Sequence, residues 1–184
     1  MTDKKTSIDE QFREFVTARS GVLHRAAYLM TGNWATAEDL VQTALTKTYL
    51  AWRRIGEIDS VEAYARRVLY TTNASWWRRR SSHERPLDVI PEPRDGHHDH
   101  TEQSDRRQVL WRYVLQLPRR QRAVLVLRYY EDYSEADIAA VLGVSTGTVK
   151  SQSSRAMRGL RRRMAADGIG SAADVYSPTD GNPA

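Results

Sequence analysis

Apolar residues recur at helical spacing through three stretches of the first 80 residues. Ser7 and Glu10 have the spacing of a capping box, which predicts a first helix that begins at Ser7 and ends at Gly32. Asn33 is placed to cap a second helix, and Ser60 to cap a third. The apolar stripes of these helices comprise Ile8, Phe12, Phe15, Leu23 and Met30, then Leu40, Val41, Ala44, Trp52 and Ile55, then Val61, Ala65, Leu69 and Trp76. Three amphipathic helices with short connections predict a small helical bundle.

The second half of the chain has the same periodicity. Apolar residues between Val109 and Leu117 predict a fourth helix that begins near Ser104. Pro118 suits the first turn of a fifth helix, which is predicted to run to Tyr130. The valines and leucines of this fifth segment would also suit a strand, but its length and its proline start favour a helix.

Two local signals near the carboxyl end predict a helix-turn-helix. Ser134 and Asp137 form another capping box, which begins a short helix that Gly143 ends. Ser145 is placed to cap a final helix, which is predicted to run to about Ala166. A short helix, a glycine-centred turn and a longer helix are the parts of this motif.

Within the motif, small and apolar residues stand where the two helices must approach each other. Ala139 allows close contact, Gly143 permits a left-handed turn, and Val149 packs the second helix back onto the first. The last helix then has an inward stripe and a basic outer face, and the stripe comprises Val149, Ser153, Ala156, Leu160 and Met164. The outer face comprises Lys150, Ser151, Ser154, Arg155, Arg158, Arg161 and Arg162.

The charge on this last helix indicates a nucleic-acid partner. Residues 145–166 contain six basic residues and no acidic one. The simpler interpretation is a helical hairpin with a solvated face, but such a face normally mixes both signs, so DNA binding is favoured. The first part of such a helix enters the major groove, and the later arginines hold phosphates.

A second cluster, Ser75 to Arg80, combines two tryptophans with three arginines. Trp76 is in phase with the apolar stripe of its helix, which leaves Trp77 partly exposed. Aromatic rings beside arginines suit the unstacked bases of a single strand. Equally, both rings can pack in the core while the arginines reach solvent. The residues alone leave these two interpretations open.

Composition divides the chain into two helical bodies. Prolines, alternating charges and little apolar periodicity predict a flexible acidic linker at 83–103, and the glycines and prolines at 167–184 predict a disordered tail. The predicted domains are 7–82 and 104–166, with the helix-turn-helix at about 135–154. The expected fold class is therefore all-α, with two small helical domains joined by the linker.

Three histidines in the linker, His97, His98 and His100, are candidate metal ligands. A solvated spacer is the favoured interpretation, because no cysteine or ordered helix would fix their geometry. We therefore expect no metal and no other cofactor.

Several classes of protein are excluded by what the sequence lacks. The chain contains no cysteine, which rules out disulfide scaffolds, thiolate zinc sites and a cysteine nucleophile. No apolar run could span a bilayer, and no apolar segment follows Lys4 and Lys5 as a signal peptide requires. No glycine-rich phosphate loop or Ser/His/Asp framework appears, so we expect a cytoplasmic protein that is not an enzyme and does not insert into the membrane.

Three motifs follow one another along the chain. The first is Ala-Glu-Asp-Leu-Val-Gln at 37–42, together with the predicted helix that continues to residue 52. The second is Tyr-Ala-Arg-Arg-Val-Leu at 64–69, in a segment that ends in Trp-Trp-Arg-Arg-Arg at 76–80. The third is Leu-Pro-Arg-Arg-Gln-Arg-Ala-Val at 117–124, together with residues 137–151. In this order they resemble regions 2.2, 2.3–2.4 and 4 of the extracytoplasmic-function (ECF, group IV) sigma factors of bacterial RNA polymerase. The similarity is greatest to the actinobacterial SigE-like branch, and it covers residues 8–165.

The resemblance implies a sigma factor that binds core RNA polymerase and directs promoter-specific initiation of transcription. The first domain would bind the clamp helices of the β′ subunit and open the minus-10 element, while the helix-turn-helix would read the minus-35 element. The flap of the β subunit and an anti-sigma protein are further partners that it suggests. The residues that it assigns are Glu38, Asp39, Leu40, Gln42 and Thr43 for the polymerase core; Asn73, Trp77, Arg78, Arg79 and Arg80 for the minus-10 element; and Thr148, Lys150, Ser151, Ser154, Arg155 and Arg158 for the minus-35 element.

Two positions depart from the family pattern. Gln152 stands where many members have arginine, and many have asparagine at the position of Thr71, whereas Asn73 lies about 200° from Thr71 around the helix. The alternative function is a conventional helix-turn-helix regulator. Such a regulator normally dimerises on a two-fold operator, but the chain shows no heptad or symmetric apolar face for this.

Overall fold

The first three helices pack together in the amino-terminal half of the protein. The computed structural model describes residues 2–55, 58–80 and 102–169, and every regular element within these ranges is a helix. Helix α1 spans Thr2–Thr31, α2 spans Trp34–Ile55 and α3 spans Ile58–Arg80. Each of the three contacts the other two, as the bundle prediction required.

The junction between α1 and α2 follows the prediction. Gly32 has a left-handed φ of 70°, and its N–H donates to the carbonyl of Tyr28 at 2.7 Å. The side-chain oxygen of Asn33 accepts a hydrogen bond from the N–H of Thr36 at 3.0 Å. Asn33 therefore caps α2, because it satisfies a backbone donor that the first turn of a helix leaves unpaired.

Two other predicted caps are wrong. Helix α1 already begins at Thr2 and α3 at Ile58, so Ser7 and Ser60 lie inside these helices. Neither serine is directly preceded by glycine or proline, so nothing in the local sequence stops the helix from extending past it.

The carboxyl-terminal half contains four more helices. Helix α4 spans Glu102–Leu115, α5 spans Arg119–Leu125 and continues into a π-helical turn at Val126–Tyr130, α6 spans Glu135–Leu142, and α7 spans Thr146–Ala166. The segment for which a strand was the alternative is thus helical. Pro118 directly precedes the first residue of α5 rather than standing within its first turn.

Helix α5 and the π-helical turn that follows it supply residues to two different cores. Leu125 is buried with Leu117 and Leu160 in a core between α4, α5 and α7. Val124 and Leu127 are buried in a larger core that also contains residues of α1, α2 and α3. The two halves therefore share apolar surface in addition to having their own contacts.

Candidate nucleic-acid interface

Helix α7 presents a basic face to solvent because its other face is buried. Val149, Ala156, Leu160 and Met164 are each at most 2% exposed, which confirms most of the predicted inward stripe. Ser153, predicted to belong to that stripe, is only partly buried. The side chains that the helix exposes among the predicted minus-35 residues are Lys150, Ser151, Ser154, Arg155 and Arg158, while Thr148 is partly exposed.

The helix-turn-helix geometry fixes the direction of α7. Gly143 has a φ of 66°, and the N–H of Val144 donates to the carbonyl of Ala139 at 3.0 Å, so the chain turns sharply at the end of α6. Ser145 Oγ accepts from the N–H of Thr148 at 3.1 Å and caps α7. The amino end of α7, where the predicted reading residues lie, is thus held at a defined position beside α6.

The arginines of α7 continue into a groove against the start of α5. Arg155, Arg158 and Arg162 line it, together with Leu117 and Pro118. Guanidinium groups arranged along a groove suit a chain of phosphates, because each can donate two parallel hydrogen bonds. This part of the surface can hold a nucleic-acid backbone.

Lys150 is the one predicted reading residue of α7 with an ion pair among the described residues. Its Nζ lies 3.7 Å from Glu135 Oε2, and both side chains are well exposed. Exposed pairs at this distance contribute little stability, so the pair does not prevent Lys150 from reaching a ligand.

The residues of α3 predicted to contact the minus-10 element differ in their access to solvent. Arg78 and Arg79 are exposed, and Arg80 is the last residue of the helix. Trp77 and Trp76 are both partly buried and pack against the larger core, so neither tryptophan is fully on the surface. Asn73 is 1% exposed, and in this arrangement it has no access to DNA.

The outer face of α2 carries the residues predicted to bind a protein partner. Glu38, Asp39 and Gln42 are exposed, and Thr43 is partly exposed. Leu40 is fully buried and supports the helix from inside instead of contributing to the face. Its position follows from its place in the apolar stripe of α2, which the sequence had already indicated.

Arg122 is an important residue that sequence reasoning missed. It is 5% exposed, and its guanidinium donates to the carbonyls of Met30, Thr31 and Leu115 at 3.2, 2.8 and 2.8 Å. These carbonyls lie at the ends of α1 and α4, where the helix leaves acceptors unpaired. Burial, together with the charge of Arg119, lowers the pKa of Arg122 to about 10. Arg122 therefore ties the carboxyl-terminal half to the end of α1.

An ion pair at Arg66 also joins the halves. Its Nη1 lies 2.7 Å from Glu131 Oε2, and the Glu131 side chain is 1% exposed. Its Nη2 also bonds to Glu62 at 2.8 Å. Burial opposes the charged form, but the neighbouring Glu131 carboxylate raises the pKa of Arg66 overall. No sequence signal indicated this pair, because its members are far apart in the chain.

Tyr70 lies beside this pair and should make the free energy of unfolding depend on pH in the alkaline range. Burial, and then the negative charge of Glu131, raise the pKa of Tyr70 well above its ordinary value of 10. Above about pH 10 the unfolded chain loses this proton while the folded protein keeps it, so stability should fall by about 1.4 kcal/mol per pH unit from Tyr70. Urea unfolding of Tyr70→Phe should show a shallower decrease over this range. An unchanged pH slope in the variant would contradict the assignment.

The described residues contain no group of acidic or histidine side chains that could hold a metal ion. His97, His98 and His100 lie outside the described residues, as do the rest of 83–101 and most of the tail, whereas the last two residues of the predicted linker, 102 and 103, already belong to α4. None of the helices within the described ranges is long and apolar enough to cross a bilayer.

Two family models match the chain. The model for sigma-70 region 2 matches residues 15–83, and the model for sigma-70 region 4 matches residues 107–160. The second match contains the helix-turn-helix almost to the end of α7. The first contains α2 and α3, which carry the exposed face and the tryptophan–arginine cluster.

Curated relatives are similar over most of their length. The chain is 41% identical to the RNA polymerase sigma-E factor of Streptomyces coelicolor, covering 85% of this chain and 87% of the relative. It is 39% identical to the sigma-E factor of Streptomyces avermitilis, and the match covers 84% of this chain and 85% of that relative. It is 34% identical to the ECF sigma factor SigL of Mycobacterium tuberculosis, and the match covers 81% of this chain and 86% of that relative.

A solved structure has the same fold. The sigma factor RpoE of Bartonella quintana, crystallised with the anti-sigma factor NepR, aligns with a TM-score of 0.51 at 22% identity and covers 86% of this chain and 99% of that chain. The all-α fold with two helical sigma domains is thereby confirmed. Taken with the family models and the sigma-E relatives, these similarities show that the chain belongs to the ECF group of the sigma-70 family, the RNA polymerase sigma factors.

Proposed function

We propose that this sigma factor divides its work between the two halves of the chain. Residues 7–82 bind core polymerase and open the minus-10 element, residues 104–166 read the minus-35 element, and residues 83–103 connect them. The observation that carries the proposal is the exposed face of α7, which has basic side chains, no acidic one, and a fixed direction set by the helix-turn-helix. The chain contributes recognition and strand opening, and catalysis belongs to the polymerase.

The minus-35 contact uses the amino end of α7 in the major groove. Thr148, Lys150 and Ser151 lie in its first two turns, followed by Ser154 and Arg155 in the next turn. Hydroxyl and cationic side chains of this kind reach base edges, whereas Arg158 lies one turn further along and suits a phosphate. The arginine-lined groove beside Leu117 extends the path for the DNA backbone.

The minus-10 contact uses the carboxyl end of α3. Arg78 and Arg79 supply charge for a single-stranded backbone, Arg80 follows them, and Trp77 supplies a ring for stacking. Asn73 belongs to the same proposed contact only if its surface becomes uncovered, because it is 1% exposed in this structure.

The polymerase contact uses the outer face of α2. Asp39, Thr43, Thr46 and Leu50 follow one another at steps of four, three and four residues and so share one side of the helix. Leu50 is 72% exposed, and an exposed leucine in line with an acidic residue suits a protein surface better than DNA. The proposed partner is the clamp-helix region of the β′ subunit, with the β flap as a second contact.

The proposal also covers regulation and location. The solved sigma factor that shares the fold was crystallised with an anti-sigma factor, and we include such a protein among the partners of this chain. Since polymerase and promoter DNA are its proposed partners, the protein would act in the cytoplasm without inserting into the membrane.

Run-off transcription on a genomic fragment library tests the proposal. Purified core polymerase should give discrete new transcripts only when the protein is added. Specific DNA binding by the protein alone, without new transcripts, would instead indicate a conventional regulator.

Charge reversal on α2 tests the polymerase contact. Asp39→Arg should weaken binding to core polymerase by about tenfold or more, because a mismatched charge at an interface costs more than a missing one. The matched control is Glu14→Arg, the same reversal at an exposed position of α1. Fluorescence anisotropy with labelled protein measures both affinities. Equal binding by Asp39→Arg and the unmodified protein would contradict this assignment.

A further inference from the structure

The arginine groove between α7 and the start of α5 carries more positive charge than its surroundings balance. The arginines that line it are Arg155, Arg158, Arg161, Arg162 and Arg163. Arg163 Nη1 donates to the carbonyl of Gln116 at 2.8 Å, whereas none of the other four has a carboxylate partner among the described residues. Positive groups along one groove repel one another, so an anionic ligand there is stabilising.

Apolar residues lie beside these arginines. Leu117 is buried and Pro118 is exposed, and both line the groove. A Cβ atom at Gly159 would lie 3.5 Å from Leu117 Cδ2, so α7 approaches Leu117 closely at this residue. Aromatic rings pack well on guanidinium planes. The groove therefore suits a segment that has carboxylates together with an apolar or aromatic side chain.

The chain beyond residue 169 has this composition. Residues 170–184 contain two acidic residues, Asp174 and Asp180, and no lysine or arginine. Val175 and Tyr176 lie between the two aspartates in the sequence. The charge and the apolar character of this segment thus complement those of the groove.

The end of α7 places the start of the segment beside the groove. Ala166, the last residue of the helix, itself lines the groove. Gly168 has a φ of 71°, and the N–H of Ile169 donates to a carbonyl in the last turn of α7 at 2.9 Å, so the chain folds back on the helix. The Tyr113 hydroxyl also donates to Asp167 Oδ2 at 2.6 Å. These first residues of the predicted tail are therefore held against α4 and α7, and residue 170 starts at the end of the groove.

We propose that residues 170–184 bind in the arginine groove, where Asp174 and Asp180 pair with its guanidinium groups. From Arg155 to Ala166 the helix rises about 16 Å, whereas a 15-residue segment can extend over about 50 Å and so reaches along the whole groove. Because the segment is tethered at one end of the groove, its effective concentration there is on the order of millimolar. Weak carboxylate–guanidinium pairs are then sufficient to keep a large fraction of the segments bound.

The bound segment competes with duplex DNA. Arg155 and Arg158 belong to the proposed minus-35 contact, so only molecules with a free groove present both of them to DNA. The apparent affinity for DNA falls in proportion to the fraction of molecules in which the groove is free. This consequence rests on the proposed function of α7, whereas the binding of the segment in the groove does not.

Paramagnetic relaxation enhancement tests the location of the segment directly. The chain has no cysteine, so Ser177→Cys gives one site for a nitroxide label between the two aspartates. In the full-length free protein at low salt, the label should broaden the backbone amide signals of Arg155, Arg158 and Arg162 and leave that of Arg13 on α1 sharp. About 1 M salt should remove most of the broadening, because it screens charge pairs at the surface. Equal broadening along α1 and α7 would overturn the proposal.

Neutral variants identify the charges that are responsible. In the labelled protein, Asp174→Asn with Asp180→Asn should reduce the broadening at the groove by about threefold or more, since two exposed ion pairs together contribute enough for such a change. The matched control is Glu10→Gln with Glu14→Gln, which removes the same charge from exposed positions of α1. Equal broadening in the two double variants would contradict the pairing of the aspartates with the groove.

Fluorescence anisotropy with a labelled duplex of arbitrary sequence measures the competition, because contacts to phosphates do not depend on sequence. Asp174→Asn with Asp180→Asn should bind this duplex about threefold more tightly than Glu10→Gln with Glu14→Gln. The two variants are compared with each other because the loss of two negative charges anywhere strengthens the general attraction to DNA. Identical affinities would show that the segment does not occupy the groove.

The relaxation measurement requires neither DNA nor polymerase, so it separates this inference from the proposed function. Selective broadening at the groove without transcripts in the run-off experiment would support the inference and overturn the proposed function alone. Transcripts without selective broadening would overturn the inference alone.

Discussion

Replacing Lys150 and Arg155 together by alanine is expected to lower transcription from a minus-35-dependent promoter by about 30-fold or more, because each specific base contact contributes about 1–3 kcal/mol. Both side chains are exposed on the first half of α7, outside its buried stripe. Removing them should leave the helix folded, since neither contributes to the core. Run-off transcription with saturating variant protein and core polymerase measures the effect.

The control for this double variant removes the same charge elsewhere. Arg13→Ala with Arg25→Ala takes two exposed cations from α1, outside the proposed DNA contacts. If general attraction to DNA were responsible, both double variants would lose similar activity. Similar losses would contradict the assignment of α7 as the reading helix.

Leu127→Ala is expected to lower the free energy of unfolding by about 2–5 kcal/mol, the usual range for truncating a fully buried leucine. Leu127 is 0% exposed and belongs to the core that both halves share. The loss should therefore affect the stability of both halves, and not only that of the half in which Leu127 lies. Urea unfolding followed by circular dichroism and by tryptophan fluorescence measures it.

Leu50→Ala makes the same chemical change on the surface. Because Leu50 is 72% exposed, its removal should change the unfolding free energy by less than about 0.5 kcal/mol. It should instead weaken binding to core polymerase, since Leu50 continues the outer face of α2. A large loss of stability in Leu50→Ala, or none in Leu127→Ala, would show that the two leucines have been assigned to the wrong environments.

Local signals predicted much of the fold because they depend on residues close in the chain. Asn33, Ser134 and Ser145 cap their helices as expected, each by accepting a bond from an N–H three residues further on. Ser7 and Ser60 carry the same local signal, yet lie inside helices. A cap is only one contribution to where a helix begins, and the preceding residues decided the outcome in these two cases.

The contacts between the halves could not be predicted from the sequence. Arg122 stands among other arginines and looks like a solvated residue, but three carbonyls from two separate helix ends surround it. Arg66 and Glu131 are 65 residues apart. The burial of Asn73 depends on how α3 packs, and helical periodicity alone does not reveal which second face of a helix becomes covered.

The candidate site was partly predictable, because the exposed face of a helix follows from residues close in the chain. The outer face of α7 follows from its apolar stripe, and its exposed residues were identified correctly. Leu40 was included with the polymerase-binding residues because it lies within the family motif, although its own apolar character already indicated burial. For Trp76 and Trp77 the sequence left two interpretations open, and both rings are partly buried.

The π-helical turn at Val126–Tyr130 makes the length of this segment unusually critical. A π-helical turn accommodates an additional residue within a helix, and here the N–H of Glu131 closes it by donating to the carbonyl of Val126. Deleting one residue would favour a regular α-helix and rotate everything that follows by about 100°. Glu131 would then no longer face Arg66. An insertion or deletion in these five residues therefore alters the register between the halves, while each half retains its own helices.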